Sequence, residues 1–182
     1  MYIRNILLLA ALLFSVVLGD QVLFNDNGYG TDIYSDSSAA VSNSTNCGQK
    51  ANKCILGQIV NENDNIGFRM KPNQFDTDND RFLEFWMLVE GANGTDVYIF
   101  IDTVGTPKKV ILNNDTYYVS TTDFSGWVFV RVDVTEANVD AETFNGLHIG
   151  VASRPSNLTI AAVNLVENRM HIVEQMNSII IP

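Results

Sequence analysis

The sequence predicts an all-β fold, a two-sheet antiparallel β-sandwich of jelly-roll type, on three observations. Apolar residues recur with period two in short runs, clusters of Gly, Asn, Asp and Pro punctuate those runs, and helix-period patterning is nearly absent after residue 20. About ten runs of strand length suit two packed sheets.

The first nineteen residues stand apart from this pattern. Arg4 supplies a positive start, Ile6 to Leu18 is apolar except for Ser15, and Val17 and Gly19 place small side chains where a signal peptidase needs them. As a helix this apolar stretch spans about 20 Å, short of a bilayer core of roughly 30 Å. The expectation is a signal peptide over 1–19, a β-sandwich domain over 20–168, a tail over 169–182, and a secreted, extracellular product. Strands are expected at 21–25, 55–60, 66–71, 81–90, 96–103, 109–112, 117–120, 127–134, 147–152 and 158–166. The turn Gly91-Ala92-Asn93-Gly94 predicts that 81–90 and 96–103 are antiparallel neighbours. The acidic, Asn-rich stretch 26–52 shows no clear strand, and a segment that long is either functional or pinned by local bonds. In the tail, Met170, Val173 and Met176 are spaced by three, which leaves a short helix and a final strand both open.

The formal charge of −10 becomes −11 once Arg4 is removed. Such a surface repels phosphate backbones and anionic lipids, which argues against nucleic-acid and peripheral membrane partners. No second apolar stretch approaches membrane length, so no membrane insertion is expected after signal cleavage. Cys47 and Cys54 are the two cysteines, and in an oxidising compartment they read as a local disulfide. Redox or zinc chemistry would need C-x-x-C spacing or histidine partners. Sequons for N-glycosylation occur at Asn43, Asn93, Asn114 and Asn157, the last three in stretches that read as turns.

Several segments resemble the galactose-binding-domain-like jelly rolls, many of them carbohydrate-binding modules. These are Val22-Leu23-Phe24-Asn25-Asp26 with its Gly/Asp/Tyr/Ser loop, Leu83-Glu84-Phe85-Trp86-Met87 leading to Val97-Tyr98-Ile99-Phe100-Ile101-Asp102, Gly126-Trp127-Val128-Phe129-Val130-Arg131-Val132, and the closing run 158–165. The resemblance implies a secreted, non-catalytic domain that binds glycans, or a lectin or adhesion domain. Many such modules hold a structural calcium ion through an acid in the closing strand, where this chain has Ala161 and Ala162. Independently, Asp76-x-Asp78-x-Asp80 has the spacing of the first ligands of a calcium loop, without the Gly and bidentate Glu of an EF-hand, since Met87 stands at the twelfth position. The alternative is a solvated acidic turn. No other cofactor is implied.

Alternation along a strand sorts its side chains onto two faces. In 127–134 one face is Val128, Val130, Val132 and Val134, and the other is Trp127, Phe129, Arg131 and Asp133. In 81–90 Leu83, Phe85, Met87 and Val89 oppose Phe82, Glu84, Trp86 and Leu88. In 96–103 Val97, Ile99 and Ile101 oppose Tyr98, Phe100 and Asp102. If the three strands share a sheet, Trp86, Tyr98, Phe100, Trp127 and Phe129 align with Glu84, Asp102 and Arg131. That patch offers flat apolar platforms for sugar C–H faces and polar groups for hydroxyls. The alternative is a structural face covered by the 26–52 segment, with Glu84–Arg131 a cross-strand ion pair.

The sequence leans away from an enzyme. Glu84 and Asp102 on one face would be a candidate glycosidase pair, but no nucleophile elbow, zinc-protease, P-loop or dinucleotide motif occurs. His148 reads as a strand histidine, and His171 falls in the tail. The function expected is non-catalytic binding of an extracellular, cell-wall or matrix polysaccharide. The alternative is a recognition or adhesion module for a protein partner.

Overall fold

The computed structural model describes residues 21–48, 50–71, 74–76, 81–91, 97–102, 109–112, 118–119, 126–136, 142–152 and 154–166. The expected signal segment and the tail, including His171, lie outside them. The strands are β1 (Gln21–Asn25), β2 (Gly28–Tyr29), β3 (Ile33–Ser35), β4 (Ala40–Ser44), β5 (Cys54–Ile59), β6 (Asn65–Met70), β7 (Phe75–Asp76), β8 (Phe82–Glu90), β9 (Val97–Asp102), β10 (Val110–Ile111), β11 (Tyr118–Val119), β12 (Val128–Asp133), β13 (Thr143–Phe144), β14 (Gly146–Val151) and β15 (Ser156–Val166), with a 3-10 turn at Val134–Glu136. An eight-stranded sheet has the order β11-β12-β8-β15-β1-β2, with β5 also paired to β15 and β4 to β5. A five-stranded sheet has the order β10-β9-β14-β6-β3, and β7 pairs with β13. All these pairings are antiparallel.

The aliphatic faces anticipated from alternation form the interior. Leu83, Phe85, Met87, Val128, Val130 and Val132 from the larger sheet are buried in one cluster with Ile66, Phe68, Ile99, Ile101, Leu147 and Ile149 from the smaller. Burying a side chain of this size contributes roughly 1.5–3 kcal/mol each before chain entropy is charged against it. Phe75 and Phe144 pack with ring centroids 4.9 Å apart and planes tilted by 31°, and belong to the same cluster.

The longest strand carries a bulge. In β15 Ala161 faces Trp86 and Asn164 faces Glu84, so β15 spends three steps where β8 spends two. Ala162 absorbs the irregularity with φ of 49°. Leu158 and Ile160 before the bulge, and Val163 and Leu165 after it, are all in the core. One extra residue is what keeps both halves facing inward, because a single-residue slip otherwise reverses the faces.

Two expectations are corrected by the topology. Strands β8 and β9 are not neighbours: both edges of β8 are taken by β12 and β15, while β9 pairs with β14 and β10. The chain crosses from one sheet to the other between them, a connection that a short turn motif does not distinguish from a hairpin. The 26–52 segment, expected to be irregular, contains β2, β3 and β4. Each is an edge strand, and β4 is exposed over nearly its whole length. Such strands are held by ladder bonds to one neighbour and lack an apolar alternation of their own. The segment is also pinned: the Asp26 carboxylate accepts hydrogen bonds from the Asn52 backbone N–H and side-chain amide, both at 2.6 Å.

Asn43 lies exposed on β4. Asn157 sits inside β15 between Gln58 and Glu90, half-buried, because pairing begins at Ser156 and the preceding turn ends one residue earlier than expected. Asn93 and Asn114 lie outside the described residues.

Left-handed backbone at a non-glycine residue costs about 1 kcal/mol or more. Ala162→Gly is therefore expected to raise the urea midpoint by an amount worth about 0.5–1 kcal/mol, and Ala162→Val to lower it by at least as much. Equal midpoints for all three proteins would show that the bulge carries no strain.

Candidate functional site

The eight candidate residues divide between the two outer faces of the sandwich. β12 pairs with β8 so that Phe129 faces Trp86 and Arg131 faces Glu84, which places these four on the larger sheet, with Trp127 immediately before β12. Tyr98, Phe100 and Asp102 stand on β9 in the smaller sheet, their side chains on the opposite side of the molecule from the first group. The anticipated single patch does not form, because its premise of three strands in one sheet fails. The Glu84–Asp102 pair falls with it, since carboxylates on opposite outer faces cannot flank one glycosidic bond.

On the larger sheet the rings are occupied by the protein itself. Trp86 and Phe129 pack at 5.3 Å between centroids, and Arg131 Nη1 donates to Glu84 Oε1 at 2.7 Å. The Arg131 guanidinium also lies 4.5 Å from the Phe82 ring centroid. Cys47 and Cys54 form the expected disulfide, which packs with Ala51, Ala161, Trp86 and Trp127 as a second small cluster. Lys50 Nζ sits 3.9 Å from the Trp86 ring centroid, a cation–π contact. Gly48, at φ +56°, lies so close to Trp127 that a Cβ there would collide with the indole. The disulfide loop thus caps both half-buried tryptophans.

The outer face of the smaller sheet has a different composition. Its central strand β14 presents Gly146, His148 and Gly150, flanked on β6 by Arg69, Gly67 and Asn65 and on β9 by Asp102, Phe100 and Tyr98. The glycines leave a furrow that longer side chains bridge. Arg69 donates through Nε to Asp36 Oδ2 at 2.8 Å and through Nη2 to Asp102 Oδ2 at 2.7 Å, reaching the latter past Gly146. These two carboxylates hold the Arg69 guanidinium above its ordinary pKa. Tyr98 lies over Gly150, where any Cβ would strike the phenol ring.

His148 stacks on Phe100 with centroids 4.5 Å apart and planes 9° from parallel. Its Nδ1 is 2.9 Å from Asn65 Oδ1, so it is the satisfied strand histidine that the sequence suggested. Phe100 stacks in turn on Tyr98 at 6.3 Å. Beside this row a recess of about 260 Å³ is lined by Asn63, Asn65, Tyr98, Phe100 and Lys109. Lys109 Nζ lies 4.4 Å from the Tyr98 ring centroid, and the Tyr98 hydroxyl is buried with no hydrogen-bond partner among the described residues. Tyr34, 53% exposed, and Ile111, 45% exposed, add apolar surface along the same face.

Sequence reasoning reached Tyr98, Phe100 and Asp102 but missed Asn63, Asn65, Arg69 and Lys109. The alternation Gly146-x-His148-x-Gly150 was the available signal, since small residues at every second position of a strand mark close approach of other groups. A second recess, about 300 Å³, lies at the end of the larger sheet among Gln58, Glu90, Gly91, Pro155 and Asn157 and is lined by no aromatic ring. Of the acidic run considered for calcium, Asp76 lies in β7 opposite Thr143, and Asp78 and Asp80 lie outside the described residues. Among the described residues no group of three or more candidate metal ligands occurs, and no helix is long and apolar enough to cross a membrane.

No family model matches the sequence, and no curated protein matches it. Solved structures match the fold. A mutant family 29 carbohydrate-binding module complexed with cellulohexaose aligns with a TM-score of 0.52 at 13% identity, covering 81% of this chain and 89% of that one. The CBM22-2 xylan-binding domain of Paenibacillus barcinonensis Xyn10C aligns with a TM-score of 0.53 at 8% identity, covering 84% of this chain and all of that one. The chain therefore has the jelly-roll β-sandwich fold found in carbohydrate-binding modules.

Two outcomes follow from this geometry. Replacing both Cys47 and Cys54 by Ser is expected to lower unfolding free energy by roughly 2–2.5 kcal/mol from loop-closure entropy. It should also red-shift the emission of the two tryptophans as the loop lifts. An unchanged spectrum would separate the loop from the rings. For His148, burial pushes the pKa below its ordinary value, against the pull of Asp36 and Asp102 and reinforced by Arg69. The unfolded chain then takes up this proton at higher pH than the folded one. Stability is expected to fall as pH drops from about 6.5 towards the folded-state pKa. His148→Gln should flatten that slope in urea titrations at stepped pH, and an unaltered slope would assign it to other groups.

Proposed function

We propose that this protein is a secreted, non-catalytic carbohydrate-binding protein that uses the outer face of the five-stranded sheet to engage an extracellular, cell-wall or matrix polysaccharide. The observation that carries the proposal is the recess beside the Tyr98–Phe100–His148 row, where ring surface meets the side chains of Asn63, Asn65 and Lys109. Sugars present apolar C–H faces and a rim of hydroxyls, and this recess supplies a counterpart to each. The neighbours named for cellulohexaose and xylan share the fold and add support. Covering some 60–80 Å² of apolar area contributes roughly 1.5–2 kcal/mol before ordering costs. Several such contacts give roughly micromolar to millimolar affinity, which suits a repeating polymer.

The signal-like segment 1–19 and the Cys47–Cys54 disulfide support export to an oxidising compartment. Asn43, exposed on an edge strand, is the described sequon best placed to carry a glycan. In this reading the Trp86 and Trp127 rings seat the disulfide loop, Phe129 packs against Trp86, and Glu84 and Arg131 form a cross-strand ion pair.

Affinity electrophoresis against a panel of soluble polysaccharides tests the proposal. Phe100→Ala is expected to weaken retention about tenfold with circular dichroism unchanged, while Trp86→Ala and Phe129→Ala retain it. The opposite pattern would move the site to the larger sheet. Capture of a protein partner with no retention by any polysaccharide would replace the proposal with an adhesion role.

A further inference from the structure

We propose, resting on the carbohydrate-binding reading above, that the recess on the five-stranded sheet takes an acidic sugar, a hexuronate unit of a polysaccharide, whose carboxylate is received by Lys109 and the Tyr98 hydroxyl. Among the described residues of this face, one cation is left without an ion-pair partner. Arg69 is shared between Asp36 and Asp102, so these three groups neutralise one another in part. Lys109 is exposed, contacts the Tyr98 ring, and makes no ion pair among the described residues. The other lining residues, Asn63, Asn65, Tyr98 and Phe100, contribute no carboxylate. The nearby Asp64 carboxylate is turned into its own loop, where it accepts from the backbone N–H groups of Val60 and Asn61 at 2.9 and 2.7 Å.

The second donor is the Tyr98 phenol. The residue is 2% exposed, and its hydroxyl lacks a partner among the described residues. Buried hydroxyls are ordinarily paired, and an unpaired one calls for an explanation. Asn65 does not serve it: its Nδ2 donates to the Asn63 carbonyl at 2.8 Å and its Oδ1 meets His148 Nδ1.

Among the described residues, then, the Lys109 ammonium group and the Tyr98 phenol both lack a protein acceptor, and both residues line the same recess. A carboxylate is an acceptor for each, and the hydrogen bond to Lys109 is then charge-assisted. A neutral hydroxyl would meet the same donors without that Coulomb attraction. At about 260 Å³ the recess falls below the roughly 300 Å³ at which pockets begin to hold drug-sized ligands, which suits one sugar residue of a chain. In a protein with net charge −10, an acidic polymer needs such a local cation to bind at all.

Calorimetric titration of the full chain with tri-galacturonate and with tri-mannuronate, each beside its methyl ester, tests the inference, with cellotriose and xylotriose as neutral probes. At least one uronate is expected to bind fivefold or more tightly than its ester, with affinity falling as salt rises. Lys109→Gln, at an exposed position, should bring acid and ester within twofold of each other. Tyr98→Phe, which removes only the hydroxyl, should weaken the acid at least threefold. Equal binding of acid and ester, or a preference that survives Lys109→Gln, overturns the inference. Tighter binding of the neutral probes also overturns it and leaves the carbohydrate reading standing. No binding of any acidic or neutral probe removes both.

Discussion

Strand β15 hydrogen-bonds to β8 along one edge and to β5 and then β1 along the other. Everything in the larger sheet depends on that shared strand keeping one apolar face inward over its eleven residues. An uninterrupted strand could not do so with this sequence, because Leu158 and Ile160 are out of phase with Val163 and Leu165. The bulge at Ala161–Asn164 restores the phase, at the cost of a left-handed alanine. At the start of the bulge the small side chain of Ala161 lets the disulfide loop settle against Trp86. One backbone irregularity therefore governs both the interior packing and the outer surface of this sheet.

The two outer faces have been put to different uses by local chemistry. On the larger sheet, Lys50 and Gly48 lie on the tryptophans, and the disulfide fixes the loop that carries them. Aromatic surface there is consumed in holding an otherwise strand-poor segment. On the smaller sheet, Gly146 and Gly150 remove side chains from the central strand, so Arg69 and Tyr98 reach across it. Polar groups from β6, β9 and the approach to β10 thereby converge, with Asp36 of the segment after β3 lying against Gly67 and His148. Partly exposed ion pairs such as Arg69 with Asp36 and Asp102 add little stability individually; their larger effect is to fix donors and acceptors in place.

Alternation within a strand was legible from residues alone. The valine row of β12, the Leu83, Phe85 and Met87 row of β8 and the Val97, Ile99 and Ile101 row of β9 are all interior, since side-chain direction along a strand is a local property. Edge strands were not legible: Ala40–Ser44 has no apolar face and exists through its ladder with Cys54–Gln58. For the candidate site, sequence reasoning selected the right kind of residue but joined two faces into one. Tyr98, Phe100 and Asp102 were found, while Asn65 and Arg69 were passed over because single polar residues in a strand look like solvent-facing positions.

What the sequence determined by itself is the β class, the inward faces, the local disulfide and the mixed character of the outward faces. Each of these follows from periodicity or short separation along the chain. What only the tertiary structure decided is which strands share a sheet, and hence which outward side chains meet. Sheet membership depends on which edges remain free after distant strands have paired, as β15 and β12 occupy those of β8 and send β9 to the opposite layer, and that competition is not written in any local stretch of residues.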